Sequence, residues 1–297
     1  MFIMMGEAEY LNDFDIKGVR LCDCPPKHIN CMDAKEWVTA QLGVWQFYYE
    51  SRDIRNKKLH PATFPISLAK KCISLFTHKG ELVLDPFAGS GTTLLAAQDL
   101  DRNAVGFDLK ADYVDLAADR LRKTTGEVRT KQVACWDDAR RIPEYLSPSS
   151  VSLVVTSPPY ANLLNRPRLN KSRRGDKREN EQYLKVEQYS QDHRDLGILE
   201  LTEFEQEIKS IFRGLFPIIR DKGHCVVNVP DIWSDNRRIT LHMLIVDTLR
   251  SVGFELRNTI IWDRTNIVNR VGIFGWPSNY ITMGTTFEYI LDFWKLG

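Results

Sequence analysis

Five consecutive residues, Thr156-Ser157-Pro158-Pro159-Tyr160, combine the groups needed to hold a flat ring that carries an amino group. The nitrogen of such an amino group is a poor nucleophile because its lone pair is conjugated with the ring. Hydrogen bonds accepted from that amino group, by the hydroxyl of Ser157 and the carbonyl of Pro158, would draw the nitrogen toward a tetrahedral geometry. Consecutive prolines fix the backbone, so these acceptors would be oriented in advance. The ring of Tyr160 offers a flat face for stacking.

A second string, Asp85-Pro86-Phe87-Ala88-Gly89-Ser90-Gly91-Thr92-Thr93, follows a short apolar strand and precedes a helix. Glycines at such a turn permit positive φ and close approach of the backbone to a ligand. The helix beginning near Thr92 would direct free N–H groups at a phosphate or carboxylate. Gly91 is not followed by the Lys of a phosphate-binding loop, and Leu94 stands where a dinucleotide fingerprint has its third glycine.

Acidic residues at the ends of later strands suit the remainder of a nucleoside-containing ligand. Asp108 ends the next predicted strand, and an acid about 20 residues beyond a glycine turn can accept hydrogen bonds from ribose hydroxyls. Asp137 and Asp138 follow another predicted strand, where either could accept from an adenine amino group. We favour Asp138 slightly, and the choice between the two stays open.

Together the two strings resemble the amino-methyltransferases of DNA, which transfer a methyl group from S-adenosylmethionine to an exocyclic nitrogen. The resemblance is strongest over residues 55–160. It implies that His60 and Pro61 contact the methionine end of the cofactor, that Asp85 lies near the methionine amino group, and that Phe87 lines the cofactor. The full set of expected cofactor-binding residues is His60, Pro61, Asp85, Phe87, Gly89, Ser90, Gly91, Thr92, Asp108, Asp137, Asp138 and Thr156.

The same resemblance implies catalytic roles for Ser157, Pro158, Pro159 and Tyr160, acting on a base extruded from double-stranded DNA. A Ser at the first position of this element, preceded by Thr, is most often seen in cytosine-N4 enzymes. Adenine N6 and an RNA substrate remain alternatives. A companion restriction endonuclease is a partner that the family implies. Two readings outside the family are a non-catalytic nucleic-acid binder that keeps the fold and a nicotinamide dehydrogenase.

Alternating strand and helix patterns predict an α/β fold. We expect a Rossmann-like, mostly parallel sheet with an antiparallel closing strand and helices on both faces. An N-terminal arm with a helix over residues 34–50 would occupy residues 1–54, and a catalytic domain residues 55–297. A capping box at Thr202 and Glu205 would begin a later helix. The basic insert 161–200 is the expected DNA-recognition region, through phosphate contacts from Arg166, Arg168, Lys171, Arg173 and Arg174.

Composition and net charge bear on whether the chain binds nucleic acid, a membrane or a metal. The chain of 297 residues has a net charge of +1, so any attraction to nucleic acid must come from local clusters. No apolar run reaches the length of a membrane span, and the first ten residues do not resemble a secretory signal, so we expect no membrane partner and a cytoplasmic location. The six cysteines are scattered. The spacing of Cys22, Cys24, His28 and Cys31 does not fit the usual paired zinc pattern, so the sequence predicts free thiols and no metal.

Overall fold

The computed structural model describes residues 3–5, 16–25, 29–54, 64–124, 129–164, 192–234, 237–267 and 285–297. His60, Pro61 and the five basic residues of the expected phosphate-binding set lie outside these ranges. Within them, no helix combines the length and apolar character needed to cross a bilayer.

Eleven strands and eight α-helices are formed by the described residues. The strands are β1 (Ile3–Met5), β2 (Val44–Gln46), β3 (Leu82–Asp85), β4 (Asn103–Asp108), β5 (Gln132–Trp136), β6 (Val151–Thr156), β7 (Ile219–Val229), β8 (Ile232–Ser234), β9 (Arg237–Ile239), β10 (Glu255–Asp263) and β11 (Phe287–Trp294). The helices are α1 (Ala34–Ala40), α2 (Ser51–Ile54), α3 (Ile66–Phe76), α4 (Thr92–Asp99), α5 (Ala111–Arg122), α6 (Ile142–Tyr145), α7 (Leu201–Leu215) and α8 (Leu241–Val252).

Nine of the strands form one sheet in the order β1-β5-β4-β3-β6-β7-β11-β10-β2. Neighbouring strands run parallel except at β11, which is antiparallel to both β7 and β10. The chain steps outward from β3 through β4 and β5, then returns to place β6 on the other side of β3. A reversal of this kind leaves a crevice at the carboxyl ends of the strands, where α/β proteins bind ligands. The fold is thus the predicted Rossmann-like α/β fold.

Two apolar layers cover the sheet because successive side chains of a strand point to opposite faces. Leu82 and Leu84 of β3 pack in a cluster with α7 and α8, whereas Val83 packs on the other face with α3, α4 and α5. All four residues of β3 are buried, as expected for a central parallel strand covered on both sides. This packing makes β3 and its carboxyl end a rigid base for the following loop.

Two local predictions from the sequence are wrong. The helix expected over residues 34–50 ends at Ala40, and residues 44–46 form β2, which pairs with β10. The aromatic ring of Trp45 is buried by this pairing, so a tertiary contact overrides the helical periodicity. The capping box at Thr202 and Glu205 is also absent, because α7 begins two residues earlier, with Glu200 as its N-cap.

The irregular N-terminal arm supplies part of the sheet. Residues 3–5 form β1 and pair in parallel with β5, so they extend the sheet at one edge. Ile16 is buried in the cluster with α7, and Gly18 lies against the backbone of Leu82. The arm therefore contacts the sheet at residues 3–5 and again at residues 16–18.

The turn before α4 requires glycine, and this requirement can be tested. Gly91 has φ of 76°, and a Cβ on it would lie 2.7 Å from Cβ of Ala117 in α5. Gly91→Ala should lower the free energy of unfolding by about 1–3 kcal/mol, through backbone strain and overpacking. A Cβ on Gly43 meets nothing within 4 Å, so Gly43→Ala is the matched control and should change stability little. Equal urea midpoints for the two variants would contradict this account.

Candidate functional site

A cleft lies at the carboxyl ends of β3, β4, β5 and β6, at the position expected from the strand order. Both sequence strings reach it. Its lining includes Phe87, Gly89, Asp108, Ser157, Pro158 and Tyr160, together with Phe64, Tyr113, Arg194 and Asp195. Aromatic and proline faces alternate there with a few polar groups, a composition typical of small-molecule sites.

The carboxylate of Asp85 joins the two strings. One oxygen accepts from Thr156 Oγ1 at 2.7 Å and from the Phe87 N–H at 3.1 Å, and the other accepts from Thr93 Oγ1 at 2.6 Å. Burial raises the pKa of Asp85 to about 6, against the effect of these hydrogen bonds. The side chain is 1% exposed and does not line the cleft. In this structure it connects the end of β3 to α4 and to β6.

The glycine turn is held against β4 through Asp108. One oxygen of this carboxylate accepts from the Gly89 N–H at 2.9 Å, and the other accepts from the Lys110 N–H at 2.9 Å. Burial raises the pKa of Asp108 to about 7. Each carboxylate oxygen has a second lone pair, so Asp108 can still accept hydrogen bonds from a ligand in the cleft.

Arg120 supports the outer side of the glycine turn, a role that no sequence pattern indicated. Its Nη1 donates to the carbonyl oxygen of Ser90 at 2.6 Å and to Ser90 Oγ at 2.9 Å. Ser90 was expected to bind the cofactor, but its side chain is buried and directed at Arg120. Arg120 is only one of several charged residues on α5, so only the fold reveals its partner.

The proline-containing string leaves β6 and presents its polar groups to the cleft. Ser157 Oγ and Tyr160 Oη lie 2.6 Å apart, and either hydroxyl can be the donor. When Ser157 donates to Tyr160, both lone pairs of the serine oxygen are available to accept from a ligand. Pro158 and Pro159 lie between them, also in the cleft lining.

Asp137 and Asp138 both line the cleft, and each already has strong partners. Asp137 accepts from Arg141 Nη1 at 2.9 Å and from the Tyr145 hydroxyl. Asp138 accepts from the backbone N–H and from Nη1 of Arg140, and the Arg140 side chain also contacts Glu207. The assignment of one of them to an adenine amino group therefore stays a prediction.

Most of the predicted site residues in the described ranges come together. Those that line the cleft are Phe87, Gly89, Thr92, Asp108, Asp137, Asp138, Ser157, Pro158, Pro159 and Tyr160. Asp85, Ser90, Gly91 and Thr156 lie behind this surface, and they shape the turn and the strand ends. Sequence reasoning missed Tyr113, Arg140, Arg194 and Asp195 as lining residues. Phe64 stands in the quoted stretch after His60 and was not singled out.

Comparisons with known proteins find similarity over parts of this chain. A family model described as a DNA methylase of the N6/N4 type matches residues 16–119. The methyltransferase M.XycI of Xanthomonas campestris pv. cyanopsidis is 49% identical over 69 residues, which are 23% of this chain and 23% of that protein. The methyltransferase M.BglI of Bacillus subtilis is 39% identical over 114 residues, covering 38% of this chain and 30% of that protein. Both are described as type II methyltransferases.

The matched segment is thus less than a third of the length of these relatives. Among solved structures, TrmN from Thermus thermophilus aligns with a TM-score of 0.47 at 17% identity, over 82% of this chain and 52% of that one. Such a score is too low to support a functional argument, and the fold assignment depends on the strand order itself. Over residues 16–119, about a third of its length, the chain is therefore similar to DNA methylases of the N6/N4 type.

Proposed function

We propose that this protein is a site-specific DNA methyltransferase that transfers a methyl group from S-adenosylmethionine to N4 of cytosine in double-stranded DNA. One observation carries the proposal: a single cleft contains both the glycine turn with Asp108 and the Ser157-to-Tyr160 string. The first can hold a nucleoside-bearing methyl donor and the second an amino-bearing ring. The type II relatives support a role in restriction and modification, with a companion endonuclease as a partner.

The cleft residues fit S-adenosylmethionine, the cofactor of this family. When bound, S-adenosylmethionine supplies a methyl group activated by a sulfonium centre. Asp108 offers a carboxylate for ribose hydroxyls, and the Gly89 turn lets backbone approach closely. Phe64 and Phe87 provide apolar faces in the same cleft. His60 and Pro61 are proposed contacts for the methionine end.

On the acceptor side, the chain's own residues would orient and polarise the amino group. Ser157 Oγ and the Pro158 carbonyl accept its two N–H groups, which localises the nitrogen lone pair. Tyr160 provides the stacking face for an extruded base, and its hydroxyl holds Ser157 in position at 2.6 Å. Positioning of this kind supplies much of the reduction in the barrier. Methylation of the amino nitrogen would be balanced by the loss of one proton from that nitrogen to solvent and by departure of the donor's sulfur as a neutral thioether.

Cytosine N4 is favoured over adenine N6 by Ser157 at the first position of the string. A Ser at this position, preceded by Thr156, resembles cytosine-N4 enzymes, whereas Asp or Asn is commoner there in adenine-N6 enzymes. The basic residues at 166–174 are the proposed contacts to DNA phosphates. Arg194, at the end of the same insert, lines the cleft and adds a positive group beside it.

The reaction can be identified from the modified nucleoside. We expect DNA incubated with the protein and S-adenosylmethionine to yield N4-methylcytidine derivatives after digestion and mass analysis. Ser157→Ala should slow transfer by about 10²–10³-fold, the usual effect of losing one preorganised hydrogen-bonding group, with cofactor affinity retained. Ser147→Ala, at an exposed serine outside the cleft, is the control and should keep full activity.

Three outcomes would contradict parts of this proposal. N6-methyladenine as the product would refute the cytosine assignment and leave the methyltransferase class standing. Transfer to matched RNA but not to DNA would refute the substrate class. Full activity of Ser157→Ala would remove the serine from the catalytic set.

Cofactor binding should depend on pH through Asp108. The pKa of Asp108 is raised to about 7, and only the ionised form offers both oxygens as acceptors to ribose hydroxyls. The affinity for S-adenosylmethionine should therefore rise with pH and be roughly tenfold weaker at pH 6 than at pH 8, as expected for one group titrating near 7. Asp108→Asn should bind more weakly and lose this dependence. Calorimetric titration checks both, and an unchanged pH profile in the variant would assign the titration to another group.

A further inference from the structure

A cluster of three cysteines and one histidine lies away from the cleft. Cys22, Cys24, Cys31 and His78 offer ligand atoms that all lie within 4.8 Å of one another. The shortest separations are 3.4 Å from Cys22 Sγ and from Cys31 Sγ to His78 Nδ1, and 3.5 Å between Cys24 Sγ and Cys31 Sγ. Neither the cofactor nor the amino-bearing substrate is expected to reach this cluster, because His78 precedes β3 and the cleft lies beyond its carboxyl end.

We propose that these four residues bind one structural zinc ion. Three cysteines and a histidine are one of the usual ligand sets of structural zinc sites. A tetrahedral zinc with Zn–S of about 2.3 Å and Zn–N of about 2.0–2.1 Å has S–S edges of about 3.8 Å and S–N edges of about 3.6 Å. The three separations given above are close to these edges, and the other three are no longer than 4.8 Å, so a small movement is enough to admit the ion.

A disulfide does not explain the geometry. All three thiols are free, and Cys24 Sγ lies 3.5 Å from Cys31 Sγ, whereas a disulfide bond is about 2.05 Å long. Hydrogen bonds alone explain it poorly as well, since a thiol is a weak donor and a weak acceptor. The same convergence of soft ligands is what zinc coordination requires.

The surroundings of the cluster suit bound thiolates. Arg20 Nε donates to Cys22 Sγ at 3.2 Å, and Arg20 Nη2 donates to the Cys24 carbonyl at 2.8 Å. Binding releases three thiol protons, and three thiolates around Zn²⁺ leave a net charge of −1 that the Arg20 guanidinium offsets.

The ion would fasten the N-terminal arm to the sheet. The Leu21 N–H donates to the Lys79 carbonyl at 2.8 Å, and Asn30 Nδ2 donates to the Leu75 carbonyl at 2.6 Å. His78 itself is held by its backbone N–H, which donates to Glu81 Oε2 at 2.8 Å. Because four protein ligands complete the tetrahedron, no position is left for a substrate, so the role is structural.

The decisive experiment measures metal content in the full chain. Protein purified from zinc-supplemented cells should contain one zinc per chain by mass spectrometry of the elements. Cys24→Ser should reduce that content severalfold. Cys72→Ala, which removes a buried cysteine outside the cluster, should keep it. Chelation of the wild-type protein should lower its thermal unfolding temperature, and added ZnCl₂ should restore it.

Independent readouts keep the inference testable if Cys24→Ser fails to fold. His78→Gln should bind zinc more weakly, and wild-type protein loaded with Co²⁺ should show the visible absorption of a tetrahedral thiolate site. The inference is overturned by wild-type protein that takes up no zinc on titration, by equal zinc content in Cys24→Ser and Cys72→Ala, by iron in place of zinc, or by an intact mass that shows a Cys24–Cys31 disulfide.

Discussion

The geometry of the cleft depends most on the buried carboxylate of Asp85, which lies where the strand order of the sheet reverses. Asp85 ends β3 and accepts hydrogen bonds from Thr93 at the start of α4 and from Thr156 at the end of β6. An ionised group in this position is costly unless its oxygens are satisfied. Because the donors come from both sides of the reversal, satisfying Asp85 fixes the glycine turn relative to the proline-containing string. Chemistry between two separate segments becomes possible only with that fixed spacing.

Local patterns revealed the elements whose conformation is set by their own residues. The turn glycines permit the positive φ that a tight turn needs and the two consecutive prolines restrict the backbone, so the turn before α4 and the end of β6 were predicted within a residue or two. Asp108 was found because a strand end followed by an acid is a local pattern. The helix expected over residues 34–50 failed because β2 pairs with β10, more than 200 residues away in the chain, and such pairing is not visible in local periodicity.

The site residues also divide into those that local sequence patterns predicted and those that only the folded chain reveals. Ten of the 22 residues that line the cleft were predicted, because the types needed for a methyl donor and an amino group are distinctive. The residues behind the cleft surface that support it were not predicted, because partners such as Arg120 and Ser90 lie 30 positions apart in the chain. His78 lies 47 positions from Cys31, and for the same reason the cysteines alone predicted free thiols. Long-range partners such as these require the folded chain.

The account is tested most directly by a crystal structure of the protein soaked with S-adenosylmethionine. It predicts density for the donor in the cleft, with its ribose beside Asp108, its backbone contacts at Gly89, and its methyl group facing Ser157 and the Pro158 carbonyl. Density at another place, or a methyl group directed away from the proline-containing string, would contradict the claim that this cleft unites the methyl donor with the amino acceptor.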